Sequence, residues 1–360
     1  MKRAGNIEFL RFVFAIAIVA HHAMLEGYMA MWGGFLSVEF FYILTGAFIA
    51  KSCKKECEHE YTEDIHSTVK KTYSYLYKRI LAIFPELIIS TFIGLLFFVL
   101  IGVVDIHSYN YFRHVLNDFL FLQSFGMPVA SVSGIVWYLS SMFIGISIIY
   151  PFVRRHYTEY CKLIAPILSM LILGILIHTY GTLNVPAEYL FGIINTGNLR
   201  SIAFISLGCF VYEQAVSLNE KKLSKKKVIV FTLLEIVCYV LILLHMHLYT
   251  SDNSIFDEQA VILMVIGLTI SLSDISIIGS LLKENRIAIW LGKYSGALFF
   301  GHFVWVQHPK ELATLLKYTG NNQKIISIVV AFGVSFILMM LSLWIKSCSV
   351  YKNLIMKIST

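Results

Sequence analysis

Residues able to do chemistry crowd into the first apolar stretch of the chain, residues 6–28, NIEFLRFVFAIAIVAHHAMLEGY. It is long enough to cross a bilayer, yet it carries Arg11, His21, His22 and Glu26. Ionisable groups in hydrocarbon cost several kcal/mol each and mark functional sites. Arg11 and His22 are separated by three full helical turns plus about 20°, which puts them on one face about 16 Å apart along the axis. Glu26, four residues on, extends that face, and His21 points about 100° away. A fixed cation at one level and an imidazole at another suit binding of an anion and general-base work on a hydroxyl.

Other apolar stretches repeat the pattern. The second carries Glu39 at a depth close to that of His22, so a carboxylate stands where it can orient an imidazole and raise its basicity. The stretch GIVWYLSSMF brings Trp137, Tyr138 and Ser140; Arg200 begins another segment, and LGKYSGALFFGHFVW brings Lys293 and His302. Two layers result. His22, Glu26, Glu39, Trp137, Arg200 and His302 form an outer layer, and Arg11, Lys78, Arg79 and Lys293 an inner, basic one. The basic layer suits a phosphate-bearing cytoplasmic ligand. The plainer readings are an aromatic belt for Trp137, snorkelling for Arg200 and backbone-bonded helix pairing for Glu39.

The elements that must position these residues are membrane spans. The 360 residues are 58% hydrophobic and 14% charged, against roughly 25% charged in soluble proteins. Ten spans are expected, near 6–29, 33–52, 82–104, 134–153, 160–179, 199–215, 227–249, 259–279, 287–307 and 324–346. The fold class is therefore an all-α, polytopic integral membrane protein forming one domain over 1–360. The apolar stretch after Lys2 and Arg3 reads as a retained first span, since Arg11 interrupts it and no clean cleavage site follows. Most of the 29 Lys and Arg fall on alternate connections, leaving Arg113, Arg200, Lys310, Lys317 and Lys324 on the other side. That bias places both termini in the cytoplasm. It also makes the net charge of +7 topological, with no nucleic-acid partner. The six cysteines form no disulfide framework. Cys53, Cys57, His59 and His66 in the loop 53–78 fit zinc-ligand spacing poorly, so no metal is expected. Residues 111–125 have helical apolar spacing and suit an interfacial or re-entrant helix.

These residues resemble acyltransferase family 3, integral membrane proteins that acylate sugars and other hydroxyl acceptors. The likeness rests on several separated motifs covering most of the chain. They are Arg11 with His22; Leu36–Phe41 followed by Thr45 and Gly46; Lys78, Arg79 and Ile80 ahead of Ile83, Phe84 and Pro85; Trp137, Leu139 and Ser140 ahead of Tyr150 and Pro151; Arg200 with Gly208; and Leu291, Gly292 and Ser295 followed by His302. Two places depart from the pattern: Ala82 stands where members often have Arg, and Met142 where they often have Glu. Some members carry an appended hydrolase-like domain, which is not expected here because the chain ends soon after the tenth span.

The resemblance implies an O-acyltransferase in the plasma (inner) membrane. It would take an acyl group, commonly acetyl, from cytoplasmic acyl-CoA and pass it to a hydroxyl of a cell-envelope sugar, polysaccharide or glycolipid, with acyl-CoA as substrate and no bound cofactor. On this reading Arg11, Arg79 and Lys78 bind the donor, His22 acts as base or acyl carrier, and Glu39 orients it. Tyr138, Ser140, Arg200 and His302 are candidates for the acceptor site or the oxyanion. The alternative is a transporter of a glycan or lipid precursor that performs no chemistry. A structural scaffold is a third option, but it leaves the stripe of Arg11 and His22 without a reason.

Overall fold

The computed structural model describes residues 4–27, 30–57, 64–102, 109–125, 132, 134–185, 188–250 and 256–357. They are almost entirely helical. Seven spans among them are long and apolar enough to cross a membrane. Five are the single helices α3 (Ile65–Leu100), α5 (Val136–Arg155), α8 (Thr196–Asn219), α9 (Lys225–Leu248) and α15 (Gln323–Ser347). A sixth, Trp32–Lys54, enters through a 3-10 turn into α2 (Leu36–Cys57). The seventh, Tyr157–Tyr180, joins α6 (Tyr157–Glu159) to α7 (Ala165–Tyr180) through a π-helical turn.

The ten expected spans are therefore not all matched. The other three segments are helices, but shorter or more polar: α1 (Gly5–His22), α10 (Asp257–Leu272) and α12 (Arg286–Gly301), of 18, 16 and 16 residues. At 1.5 Å per residue a 16-residue helix covers about 24 Å, short of a ~30 Å hydrocarbon layer. α12 breaks at His302, and the chain resumes as α13 (Phe303–Gln307) and α14 (Pro309–Leu315). The expected helix within 111–125 forms as α4 (Tyr109–Leu120). The short helices α11 (Ile277–Leu282) and α16 (Ser349–Lys357) complete the chain.

The burial pattern is that of a lipid-facing bundle. α9 exposes Val230, Leu233, Val237 and Val240, while the interior holds Glu39, Arg200, Ser140 and His302. Hydroxyls in the spans return their hydrogen bonds to the preceding turn, as Thr45 does to the Phe41 carbonyl and Ser169 to that of Ala165. This satisfies a polar group where water is absent.

One helix crossing fixes the interior. A Cβ on Gly46 of α2 would lie 1.9 Å from the Ile205 carbonyl oxygen, and one on Gly208 of α8 would lie 2.0 Å from that of Ile43. Only glycine permits backbones this close, and close approach is how apolar helices associate without a hydrophobic drive. Contacts follow in the same order along both helices: Glu39 meets Arg200, Gly46 meets Ile205, and Lys54 meets Glu213. The helices therefore run parallel, with Glu39 and Arg200 about two turns from the glycine contact. Gly208→Val is expected to force the pair apart and cost about 1–3 kcal/mol or more, read as a lowered unfolding temperature in detergent.

Candidate active site

The ends of five elements meet at one end of the bundle: the last turn of α1, the first turns of α2, α5 and α8, and the break after α12. Between them lies a cavity of about 90 Å³, several times the space one water needs. His21, His22, Trp137, Tyr138, Asn184 and Arg200 give it polar edges, and Ile18, Phe35, Val38, Ile135 and Phe299 form its apolar wall.

His22 closes α1, and its carbonyl accepts a hydrogen bond from Gln307 of α13 at 2.8 Å. Its Nδ1 lies 2.9 Å from Nε2 of His302. His302 is fully buried, and its Nδ1 lies 2.8 Å from the Leu298 carbonyl oxygen. The two rings are nearly parallel, 7° apart, and Phe303 stands edge-on to His22 at 5.1 Å. The partner expected for His22, Glu39, is committed elsewhere. Its Oε1 accepts both Nε and Nη2 of Arg200, at 2.9 and 2.5 Å, and both residues are essentially inaccessible. The rotation of α2 set by its glycine seam aims Glu39 at α8. Trp137 faces the guanidinium from 5.6 Å, a distance at which a ring attracts a cation.

Ser140 also departs from expectation. Its hydroxyl donates to the Phe121 carbonyl at 2.5 Å and accepts the Ser124 amide at 3.1 Å. It pins the turn before α5 and does not line the cavity. Ser140→Ala is expected to cost about 1–3 kcal/mol, because a buried amide loses its acceptor, read as a lowered unfolding temperature in detergent.

Tyr138 belongs to two places. Its ring lines the cavity against Phe299, 5.5 Å away. Its phenol is within electrostatic reach of both Arg11 and Arg79 and within hydrogen-bonding reach of Thr45. Arg11 of α1, three helical turns before His22, and Arg79 of α3 thus both act on the Tyr138 phenol. Arg79 is held by the Tyr75 hydroxyl at 2.8 Å, and Arg11 by Glu8 at 2.8 Å. Glu8 itself rests on Gly292, where a Cβ would fall 1.9 Å from its carboxylate oxygen. Lys78 points outward and is exposed, as is Lys293. Met142, one of the two departures from the motif pattern, offers its sulfur to the Thr45 hydroxyl at 3.7 Å.

Several contributors are not evident from spacing. His21 lines the cavity with His22 despite the angle between them, because the cavity wraps the end of α1. Glu26 lies beyond that end and is exposed, beside Lys324 at 3.3 Å. Asn184 reaches the cavity from a loop that Asp257 holds: its Oδ2 accepts Thr182 Oγ1 and the Leu183 amide, each at 3.0 Å, and its Oδ1 meets His245 at 3.1 Å. A carboxylate in the first turn of α10 was a readable signal for a fixed anchor, but its loop partner was not. Among the described residues no group of three His, Cys, Asp or Glu could hold a metal ion. His59 lies outside the described residues.

A family model for an acyltransferase domain, that of acyltransferase family 3, matches residues 5–345. The chain belongs to acyltransferase family 3. Comparison with curated proteins and with solved structures finds no match. As a multi-pass membrane acyltransferase of family 3, the protein needs an acyl donor, an acyl acceptor and a place where they meet, and the cavity beside His22 has the chemistry for such a place.

Proposed function

We propose that this family 3 member transfers an acyl group, acetyl in the simplest case, from cytoplasmic acyl-CoA to a hydroxyl of a cell-envelope sugar, polysaccharide or glycolipid. The observation that carries the reading is Tyr138, whose ring lines the cavity of His22 and Arg200 and whose phenol is in electrostatic reach of Arg11 and Arg79. The charge bias of the connections supports a plasma (inner) membrane orientation with the basic side in the cytoplasm. CoA phosphates bind Arg11 and Arg79, with Lys78 assisting from the surface, and the thioester arm reaches past Tyr138 to the cavity.

The acceptor hydroxyl enters from the Asn184 side. His22 takes its proton as the oxygen attacks the thioester carbonyl, and Arg200 stabilises the oxyanion. The C–S bond then breaks, the ester forms, and the CoA thiolate recovers the proton from His22. Glu39 keeps the Arg200 guanidinium aimed at the cavity.

The test is turnover by purified protein in lipid, with labelled acetyl-CoA and an envelope glycan extract. Label on glycan, with free CoA released in equal amount, supports the reading. Absence of both turnover and CoA binding would sink it and favour a transport pathway through the same polar residues.

A further inference from the structure

The pair of histidines carries more than a contact. His302 Nδ1 faces the Leu298 carbonyl oxygen at 2.8 Å, and a carbonyl only accepts, so Nδ1 carries a hydrogen. In a neutral ring the other nitrogen then has none. His302 Nε2 is therefore an acceptor, and it faces His22 Nδ1 at 2.9 Å. His22 must place its hydrogen on Nδ1, which leaves the lone pair on Nε2. We infer that His302 is a positioning residue: anchored on the Leu298 carbonyl, it holds His22 as the Nδ1–H tautomer with Nε2 as the base in the cavity.

The break in α12 makes this possible. His302 caps the helix there, and its amide returns to the Leu298 carbonyl at 3.2 Å. The same carbonyl thus fixes both the backbone and the ring. Gln307, just beyond, ties down the end of α1 through the His22 carbonyl, so the two rings are held by independent links. The carboxylate closest in kind to the orienting group of a hydrolase triad, Glu39, is bonded to Arg200. His302 does the orienting as a neutral relay. During transfer the acceptor proton moves to His22 Nε2 and on to the departing thiolate, while the Nδ1 hydrogen stays shared with His302. Among the described residues, the other ionisable groups around the cavity are His21 on the same helix and Tyr138 and Arg200 on other elements.

The inference rests on the proposed reaction for its catalytic consequence, and its structural part is tested apart from activity. Nitrogen NMR of histidine-labelled protein in bilayers, with His22 assigned by difference from His22→Gln, reads the tautomer directly. The wild type is expected to show a protonated Nδ1 and a bare Nε2 at His22, and His302→Leu to lose that preference. A wild-type His22 protonated on Nε2 overturns the inference whether or not any acyl group is transferred. Where the wild type turns over, His302→Leu is expected to lower kcat by about 10–100-fold, the scale for partners that fix an imidazole, with KM little changed. His302→Gln, which offers an acceptor oxygen near the Nε2 position, is expected to recover part of the loss. An unchanged kcat in His302→Leu would mean that His302 does not position the base, and a loss confined to KM that it contacts the acceptor instead. A wild type that shows the Nδ1–H tautomer but transfers no acyl group counts against the proposed function and leaves the positioning intact.

Discussion

His22→Ala is expected to lower acyl transfer by on the order of 10²–10⁴-fold, the range for removal of a general base. The protein should keep its fold, because the link that ties α1 to α13 uses the His22 carbonyl and not its ring. His22→Gln should fare no better, since an amide cannot take the proton. CoA binding, carried on this reading by Arg11 and Arg79 and not by the His22 ring, should survive in both variants. The pairing of lost turnover with retained CoA binding separates a missing base from a collapsed protein. Binding and turnover are both read on one preparation, by calorimetry and by release of free CoA. Turnover within threefold of the wild type in His22→Ala would remove His22 from the chemistry. The cavity would then need another base, and His21, which lines the same cavity, is the candidate.

The second large effect is expected at Glu39. Glu39→Gln leaves Arg200 charged and buried without its counter-charge, and breaking one side of such a pair costs about 3–5 kcal/mol. Unfolding temperature in detergent should fall accordingly, and activity should be lost. The double substitution Glu39→Leu with Arg200→Met removes both charges. Apolar replacement of a whole buried pair is often neutral or stabilising, so the double variant should melt near the wild type. It should nevertheless stay inactive, because the oxyanion has lost its cation. Recovery of stability without recovery of transfer assigns Arg200 to catalysis and Glu39 to holding it. Recovery of both would make the pair a packing device only. Gly208→Val should mimic the single variant in both readouts, since it parts the same helices about two turns along the seam.

Much of this arrangement was legible in the chain. Apolar length, charge alternation and helical spacing identify an all-α membrane protein and single out Arg11, His22, Glu39, Arg79, Arg200 and His302. Those properties are local: each residue's hydropathy and its neighbours three and four places away suffice to read them. Gly46 and Gly208 stand out in the sequence only through the motifs of the family resemblance, and what lies against them is not legible there.

The partners were decided by tertiary structure. Depth along a helix can be counted, but the direction a side chain faces depends on how the helix is rotated, and that is set by which backbone it touches. The contact of Gly46 and Gly208 turns Glu39 towards Arg200 and away from His22. The break of α12 at His302 then brings an imidazole into the place where a carboxylate was expected. The same dependence separates Ser140, turned to the Phe121 loop, from Tyr138, turned to the cavity. Sequence determined which polar groups are buried among apolar helices; the crossing of those helices determined which of them meet.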